Sequence, residues 1–324
     1  MNTATFSFPP LLGRTAMRAV PFFVSFATME ETNGGKAEVK KIAMIGAGVM
    51  GGPMAAHLME AGHNLTVYTR TQEKAKGLIE KGAKWAGSPS EAADGADVVM
   101  TMVGYPQDVE DVYFGEQGIF RTVRVGAILI DFTTSSPKLA VRIAEEAASK
   151  GCASIDAPVS GGDIGARNAT LSIMCGGPED AFREILPLLE AVGQNIVHHG
   201  PAGSGQHVKM SNQIVIATSM IGVCESLGYA VRAGLDPERV LKSISAGAAG
   251  SWTLSNLAPR MLKGDFEPGF YIKHFLKDLR IALDESKSMG LELPGVALAE
   301  RMYSALAETG SENEGTQALY KVYR

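Results

Sequence analysis

Residues 39–45 form a short apolar run entered through Lys40 and Lys41, and the chain passes from it at once into Gly46-Ala47-Gly48-Val49-Met50-Gly51-Gly52 and a helical pattern lasting to about Ala61. Strand, glycine turn and helix in immediate succession leave few folds open. Gly46 permits the tight turn, Gly48 lets the backbone approach a pyrophosphate, and Gly51 lets the helix pack closely on the strand. The N–H groups freed at the start of that helix lie at its positive end, where phosphates are held. Gly46, Ala47, Gly48, Val49, Met50 and Gly51 are therefore the expected dinucleotide cradle.

The next strand, 64–69, ends where a ribose-reading residue belongs. An NAD site usually places Asp or Glu there, but this chain has Thr69-Arg70-Thr71 with Lys74 one turn on. A guanidinium and hydroxyls can bind a 2′-phosphate, with no carboxylate at 69–71 to repel it. The expected cofactor is NAD(P), with NADP favoured. The plainer reading is that Arg70 lies over the adenine ring and leaves both cofactors usable.

The alternation continues. Ser88-Pro89-Ser90-Glu91 reads as a capping box, residues 98–103 and 127–131 as buried strands, 137–150 as a helix and 152–156 as a strand. Residues 171–175 and 195–199 read as further strands around a helix at 178–192. Strands alternating with helices imply an α/β fold with a Rossmann-type, doubly wound sheet. Ligands in such folds lie beyond the carboxyl ends of the strands, where Val103, Thr134 and the loop after Asp156 fall. That loop contains Ser160-Gly161-Gly162, whose N–H groups can curl into a nest for a substrate carboxylate. On its own, such a run is also an ordinary turn.

Residues 204–233 have no proline, a stop signal at Gly234 and a candidate cap at Ser204, so they read as one helix of roughly 45 Å. Its first turns carry Lys209, Asn212 and Gln213 on one face. A lysine beside amides at the open end of a buried helix suits proton transfer, whereas a snorkelling side chain is the plainer reading. Glu225 ends the apolar run 214–224, which is short of the ~20 residues a bilayer needs. After this helix the pattern is helical only, with segments near 236–245 and 251–263, one after the 266–270 loop that contains Lys277-Asp278 and runs to about 289, and one at 294–308. The expected organisation is a leader at 1–35, a dinucleotide-binding domain at 36–202 and an all-helical domain at 203–324, opened by the long helix.

Composition narrows the function. The net charge of −5 argues against nucleic acid, which needs a concentrated basic surface. Cys152, Cys175 and Cys224 are three widely spaced thiols with neither a disulfide framework nor zinc spacing, and no metal is expected. The first 29 residues hold Arg14, Arg18 and five phenylalanines but no acid, a composition like an organelle transit peptide. A mitochondrial address is expected before a plastid one; a secretory signal with residues 19–29 as its core, or a tail without a targeting role, are the competing readings.

Four stretches together resemble the signatures of the β-hydroxyacid dehydrogenase family: residues 45–55, Asp156-Ala157-Pro158-Val159-Ser160-Gly161-Gly162, Gly203-Ser204-Gly205 with Lys209 and Asn212, and Lys277-Asp278-Leu279. The similarity runs from about Glu38 to the C-terminus and is greatest to plant, organelle-directed 3-hydroxyisobutyrate dehydrogenase-like members. It implies hydride transfer between NAD(P) and a small 3-hydroxy acid, in a cleft between the two domains of a dimer or tetramer. Lys209 would be the acid/base, Ser160, Gly161 and Gly162 would bind the substrate carboxylate, and Asn212 would be a neighbouring amide. Thr134, Phe270 and Lys277 would flank the nicotinamide end. Two positions depart from the family pattern: Ala47 replaces a leucine, and Gln213 stands where many members carry a second asparagine. An NADPH-dependent reductase of small aldehyde acids, such as glyoxylate or succinic semialdehyde, and an inactive cofactor-binding module are the alternatives.

Overall fold

In strand β1 (Lys41–Ile45), Ile42 and Met44 enter one apolar core while Ala43 and Ile45 enter another, so both faces of its sheet are covered. The computed structural model describes residues 38–324, and Val39–Arg324 form one compact unit. The expected leader at 1–35 lies outside the described residues.

From β1 the chain runs through α1 (Gly51–Glu60), β2 (Asn64–Tyr68), α2 (Lys76–Glu80), β3 (Lys84–Trp85), α3 (Pro89–Ala93), β4 (Val98–Thr101), α4 (Pro106–Phe114), β5 (Ile128–Asp131), α5 (Pro137–Ser149) and β6 (Ala153–Asp156). The six strands pair in parallel in the order β3-β2-β1-β4-β5-β6. Winding reverses between β1 and β4, and the carboxyl ends of those two strands border a crevice. At α3, Ser88 accepts from the Glu91 N–H at 3.0 Å as expected, but the Glu91 carboxylate turns to the Gly87 N–H at 2.7 Å instead of closing the box on Ser88.

The sheet does not continue through 171–199 as the alternation suggested. β7 (Val159–Ser160), α6 (Gly162–Arg167), β8 (Leu171–Cys175), α7 (Glu179–Glu190) and β9 (Gly193–His198) build a separate three-stranded sheet, in which β7 is antiparallel to β8 and β9 parallel to it. The cause lies at the end of β6. Asp156 exchanges both main-chain hydrogen bonds with Gly176, at 3.0 and 2.8 Å, and Pro158 has no N–H with which to extend a parallel ladder. The chain therefore turns and offers Val159 and Ser160 to β8 in the opposite sense.

The helical part comprises α8 (Ser204–Arg232), α9 (Pro237–Ile244), a π-helical turn (Thr253–Leu257), α10 (Ala258–Leu262), α11 (Ile272–Ser288), α12 (Pro294–Leu306) and a 3-10 stretch (Thr316–Tyr323). By length and composition α8 could cross a membrane, so Glu225 alone does not exclude a span. One side of it is covered by protein, while Val215 and Tyr229 on another side are exposed. Met220, Cys224 and Leu227 share a core with Phe275 and Leu279 of α11, Tyr303 of α12 and Leu319. Each large side chain buried this way contributes roughly 1.5–3 kcal/mol.

The start of α8 is fastened to the sheet. Ser204 is already helical and caps nothing; Gly203, at φ 89°, makes the turn. The cap comes from β6: one Asp156 carboxylate oxygen accepts from the Gly203 N–H and the other from the Gln206 N–H, both at 2.8 Å. The Gln206 amide, fully buried, accepts from the Ser135 N–H at 2.9 Å and donates to the Thr133 carbonyl at 2.8 Å. A Cβ at Gly205 would run into the carbonyl oxygens of Met174 and Asp156, so only glycine lets α8 approach this closely. Lys209, one turn further on, is thereby set relative to the ends of β5 and β6.

Candidate active site

A cleft of about 1500 Å3 extends from the carboxyl ends of β1, β2 and β4 to the first turns of α8. Gly46, Gly48, Val49, Met50 and Gly51 line its floor, whereas Ala47 points into the core, 4% exposed, and does not. Gly46 has φ 102°, and a Cβ there would strike the Met102 carbonyl; one at Gly51 would strike the Gly46 carbonyl. Gly48 is different, since a Cβ there would meet no protein atom within 4 Å. The protein's own packing thus demands two of the glycines, and the third leaves space above the backbone at the mouth of the cleft. No side chain caps α1 and its first turn carries no acid, so the cradle suits a pyrophosphate.

Thr69, Arg70, Thr71 and Lys74 line the cleft beyond the end of β2. The expectation that no carboxylate stands there is overturned by the fold. Asp108 of α4, 38 residues from Arg70 in sequence, accepts from its guanidinium at 3.0 Å, and Asp111 and Glu116 also line the cleft.

Val103 and Thr134 form the wall beside the glycine turn. The Val103 N–H donates to the Thr133 hydroxyl at 3.0 Å, and the Thr133 N–H donates to the buried Asp131 carboxylate at 3.0 Å. Burial pushes the Asp131 carboxyl up to about 6, against hydrogen bonds from Thr101 and Thr133 that favour its charged form. The Thr134 carbonyl accepts from the Lys277 ammonium at 2.6 Å, tying α11 to the end of β5. Phe270 also lines the cleft and packs edge-on against Phe275.

Ser160, Gly161 and Gly162 line the opposite side. They are a strand end and a helix start instead of a free loop, and the curl comes from φ 126° at Gly161 and 63° at Gly162. Facing them is Lys209, only 6% exposed, whose ammonium donates to the Val159 carbonyl at 2.9 Å. Burial is the main cause that pushes its pKa down, to about 8; the Lys277 cation adds to this and the Asp278 carboxylate opposes it. Val159 takes one of the three donor positions of the ammonium.

Of the two amides expected beside Lys209, the structure brings Gln213 into the cleft and leaves Asn212 out. Gln213 lines the cleft and is fully buried; its amide donates to Asp278 at 2.6 Å and accepts from Asn212 at 2.7 Å. Asn212 does not line the cleft and is linked to it by its bond to Gln213. Asp278, 1% exposed, has its other oxygen 3.1 Å from the Lys277 ammonium, in an ion pair without hydrogen-bond geometry.

Sequence reasoning assigned no role to Tyr105, Asp108, His274 or Asp278, and none grounded in physical argument to Thr316 and Gln317, yet all of them line the cleft. Two signals were available. Asp108 follows Pro106 as the third residue of α4, a capping position, and Asp278 stands next to Lys277 between the apolar residues Leu276 and Leu279 of α11. Tyr105 meets His274 across the cleft with ring centroids 5.3 Å apart. Among the described residues there is no cluster of three His, Cys, Asp or Glu side chains able to hold a metal ion.

Residues 41–200 match the family described as the NAD binding domain of 6-phosphogluconate dehydrogenase, and residues 203–323 that described as NAD-binding of NADP-dependent 3-hydroxyisobutyrate dehydrogenase. An uncharacterized oxidoreductase of Bacillus subtilis is 57% identical over 284 residues, covering 88% of this chain and 99% of its own length. A probable mitochondrial 3-hydroxyisobutyrate dehydrogenase-like protein of Arabidopsis thaliana is 49% identical over 280 residues, covering 86% and 84%. The solved structure of 3-hydroxyisobutyrate dehydrogenase with L-serine from Mycobacterium tuberculosis superposes with a TM-score of 0.82 at 31% identity, covering 89% of this chain and 100% of that one. Because this similarity runs through the nucleotide-binding part and the helical part alike, the chain belongs to the β-hydroxyacid dehydrogenase family and is an NAD(P)-dependent oxidoreductase acting on CH–OH groups.

Proposed function

We propose that the protein transfers hydride between NAD(P) and a small 3-hydroxy acid such as 3-hydroxyisobutyrate, with Lys209 as the acid/base. One observation carries this reading: a buried lysine amine with its pKa pushed down to about 8 shares a cleft with Gly48 and with the Ser160-Gly161-Gly162 turn. At pH 7 about one such lysine in ten is neutral, against roughly one in three thousand at the ordinary value of 10.5. That difference makes it a usable base.

In this reading the residues from Gly46 to Gly51 hold the pyrophosphate, Thr69, Arg70 and Thr71 the adenosine ribose, and Val103, Thr134, Phe270 and Lys277 the nicotinamide end. The bound nicotinamide supplies or accepts the hydride. Ser160, Gly161 and Gly162 orient the substrate carboxylate, and neutral Lys209 takes the proton from the C3 hydroxyl. In the reducing direction protonated Lys209 returns a proton to the carbonyl oxygen. Gln213, clamped between Asn212 and Asp278, reaches one methylene farther into the cleft than asparagine would and sets the space left for the substrate.

A second reading, an NADPH-dependent reductase of small aldehyde acids, is favoured by Arg70 and Lys74 at the adenosine end. It uses the same residues. An inactive binding module is disfavoured because such a module needs no buried amine in the cleft. The substrate is the only non-self partner in this reading, with neither nucleic acid nor membrane, and the assembly is a homodimer or homotetramer in which exposed Val215 and Tyr229 of α8 meet a second copy. The leader composition and the name of the Arabidopsis thaliana relative support a mitochondrial location.

A panel of hydroxy acids and aldehyde acids assayed with NAD and with NADP tests the proposal. Turnover of a 3-hydroxy acid above that of the aldehyde acids supports the first reading, and the reverse order supports the second. No turnover of any member with either cofactor would sink both.

A further inference from the structure

We infer that Asp108 is a cofactor-specificity residue: by holding the Arg70 guanidinium it competes with the 2′-phosphate of NADP and keeps the adenosine end of the cleft usable by both dinucleotides. This rests on the reading that the cleft takes a nicotinamide dinucleotide.

Both residues line the cleft beside Thr69, Thr71 and Lys74. Arg70 is the exposed member of the pair, with 78% of its side chain accessible, whereas Asp108 is 18% accessible and fixed. The fixing is visible in its bonds. One carboxylate oxygen accepts from the Tyr105 N–H at 3.0 Å, capping α4, and the other accepts from Arg70 at 3.0 Å. A carboxylate held by the backbone at the start of a helix resists swinging away when a ligand arrives, because doing so breaks that bond.

A 2′-phosphate carries between one and two negative charges and needs the guanidinium for itself. To reach Arg70 it must displace Asp108 or sit beside it, and in both cases it meets a fixed negative charge. A ribose 2′-hydroxyl has no such conflict, because it can donate to a carboxylate. NAD sites usually obtain that carboxylate from the end of the second strand. Here the corresponding stretch is Thr69-Arg70-Thr71, and Asp108 brings the acid from the far side of the crevice. The two determinants therefore oppose each other: Arg70 and Lys74 favour the phosphate, and Asp108 favours the hydroxyl.

The test is calorimetric binding of NAD and of NADP to the purified full chain, for wild type, Asp108→Asn, Arg70→Met and the double variant. The Asp108→Asn change keeps an oxygen for the Tyr105 N–H and removes the charge. The ratio of the NADP to the NAD dissociation constant is expected to fall roughly three- to tenfold in Asp108→Asn, and to fall less when the same change is made in the Arg70→Met background. Should Asp108→Asn fail to fold, Asp108→Ser retains a cap acceptor and reads the same ratio. An unchanged ratio, or a shift toward NAD, overturns the inference while leaving the dinucleotide reading intact. A wild-type chain that binds neither dinucleotide overturns the dinucleotide reading, and this inference with it.

Discussion

The ammonium of Lys209 on α8 donates at 2.9 Å to the carbonyl of Val159, the residue immediately before the Ser160-Gly161-Gly162 turn. One hydrogen bond thus joins the group proposed to move the proton to the strand that leads into the proposed carboxylate site. It also explains how a buried lysine keeps its place, since a lysine in the second turn of a helix would otherwise extend toward water.

The depressed pKa gives a pH dependence with a definite sign. Oxidation needs neutral Lys209, so kcat/KM for a hydroxy acid should rise with pH and level off above about 8. Reduction needs the protonated form and should fall through the same range. Steady-state profiles in both directions check this, and oxidation that is flat from pH 6 to 9 would count against Lys209.

The charges around Lys209 should move that profile in opposite directions. Lys277 lowers its pKa and Asp278 raises it. Lys277→Met is expected to shift the oxidation midpoint to higher pH, and Asp278→Asn to lower pH. Shifts of the same sign in both variants would mean that packing changes, not charge, govern the midpoint.

The glycine turn separates folding from binding. Gly48→Val meets no protein atom near its Cβ and should leave the melting temperature of the ligand-free protein almost unchanged while weakening dinucleotide binding at least about tenfold. Gly51→Ala runs into the Gly46 carbonyl and should lower the melting temperature as well. Thermal melts and calorimetry on the two variants distinguish these outcomes.

These same residues mark how much was legible beforehand. Gly46, Gly48 and Gly51 were readable because a tight strand-to-helix turn leaves little choice of side chain. Lys209 was readable only beside the upstream motifs, because helical spacing cannot tell a buried amine from a solvated one. Asp108 could not be read as a neighbour of Arg70, since their approach depends on how β2 and β4 flank β1 in the sheet. The split of the second sheet was hidden for a related reason. Strands 171–175 and 195–199 carry ordinary strand patterns, and the turn at Pro158 that reverses their partner's direction is a single residue. Helical spacing puts both Asn212 and Gln213 near Lys209, but adjacent residues differ by about 100° around a helix, and only Gln213 reaches the cleft.

The Asp156 cap carries a prediction about stability. Asp156→Ala leaves the N–H groups of Gly203 and Gln206 without their acceptor. Two buried donors left unpaired cost about 2 kcal/mol or more, and the melting temperature should fall by roughly 4–8 °C. Burial pushes the pKa of this carboxyl up, so the charge is itself costly to hold there and the loss should sit toward the lower end. A melt that is unchanged in this variant would show that the cap does not fasten α8.

The central claim, that the Lys209 amine moves the proton, is tested most directly by single-turnover hydride transfer in Lys209→Met with the dinucleotide already bound, followed by nicotinamide absorbance. The expected result is a rate lower by about 10²–10⁴-fold, with dinucleotide affinity within roughly threefold of wild type, since no cradle residue has changed. A Lys209→Met rate close to that of wild type would contradict it.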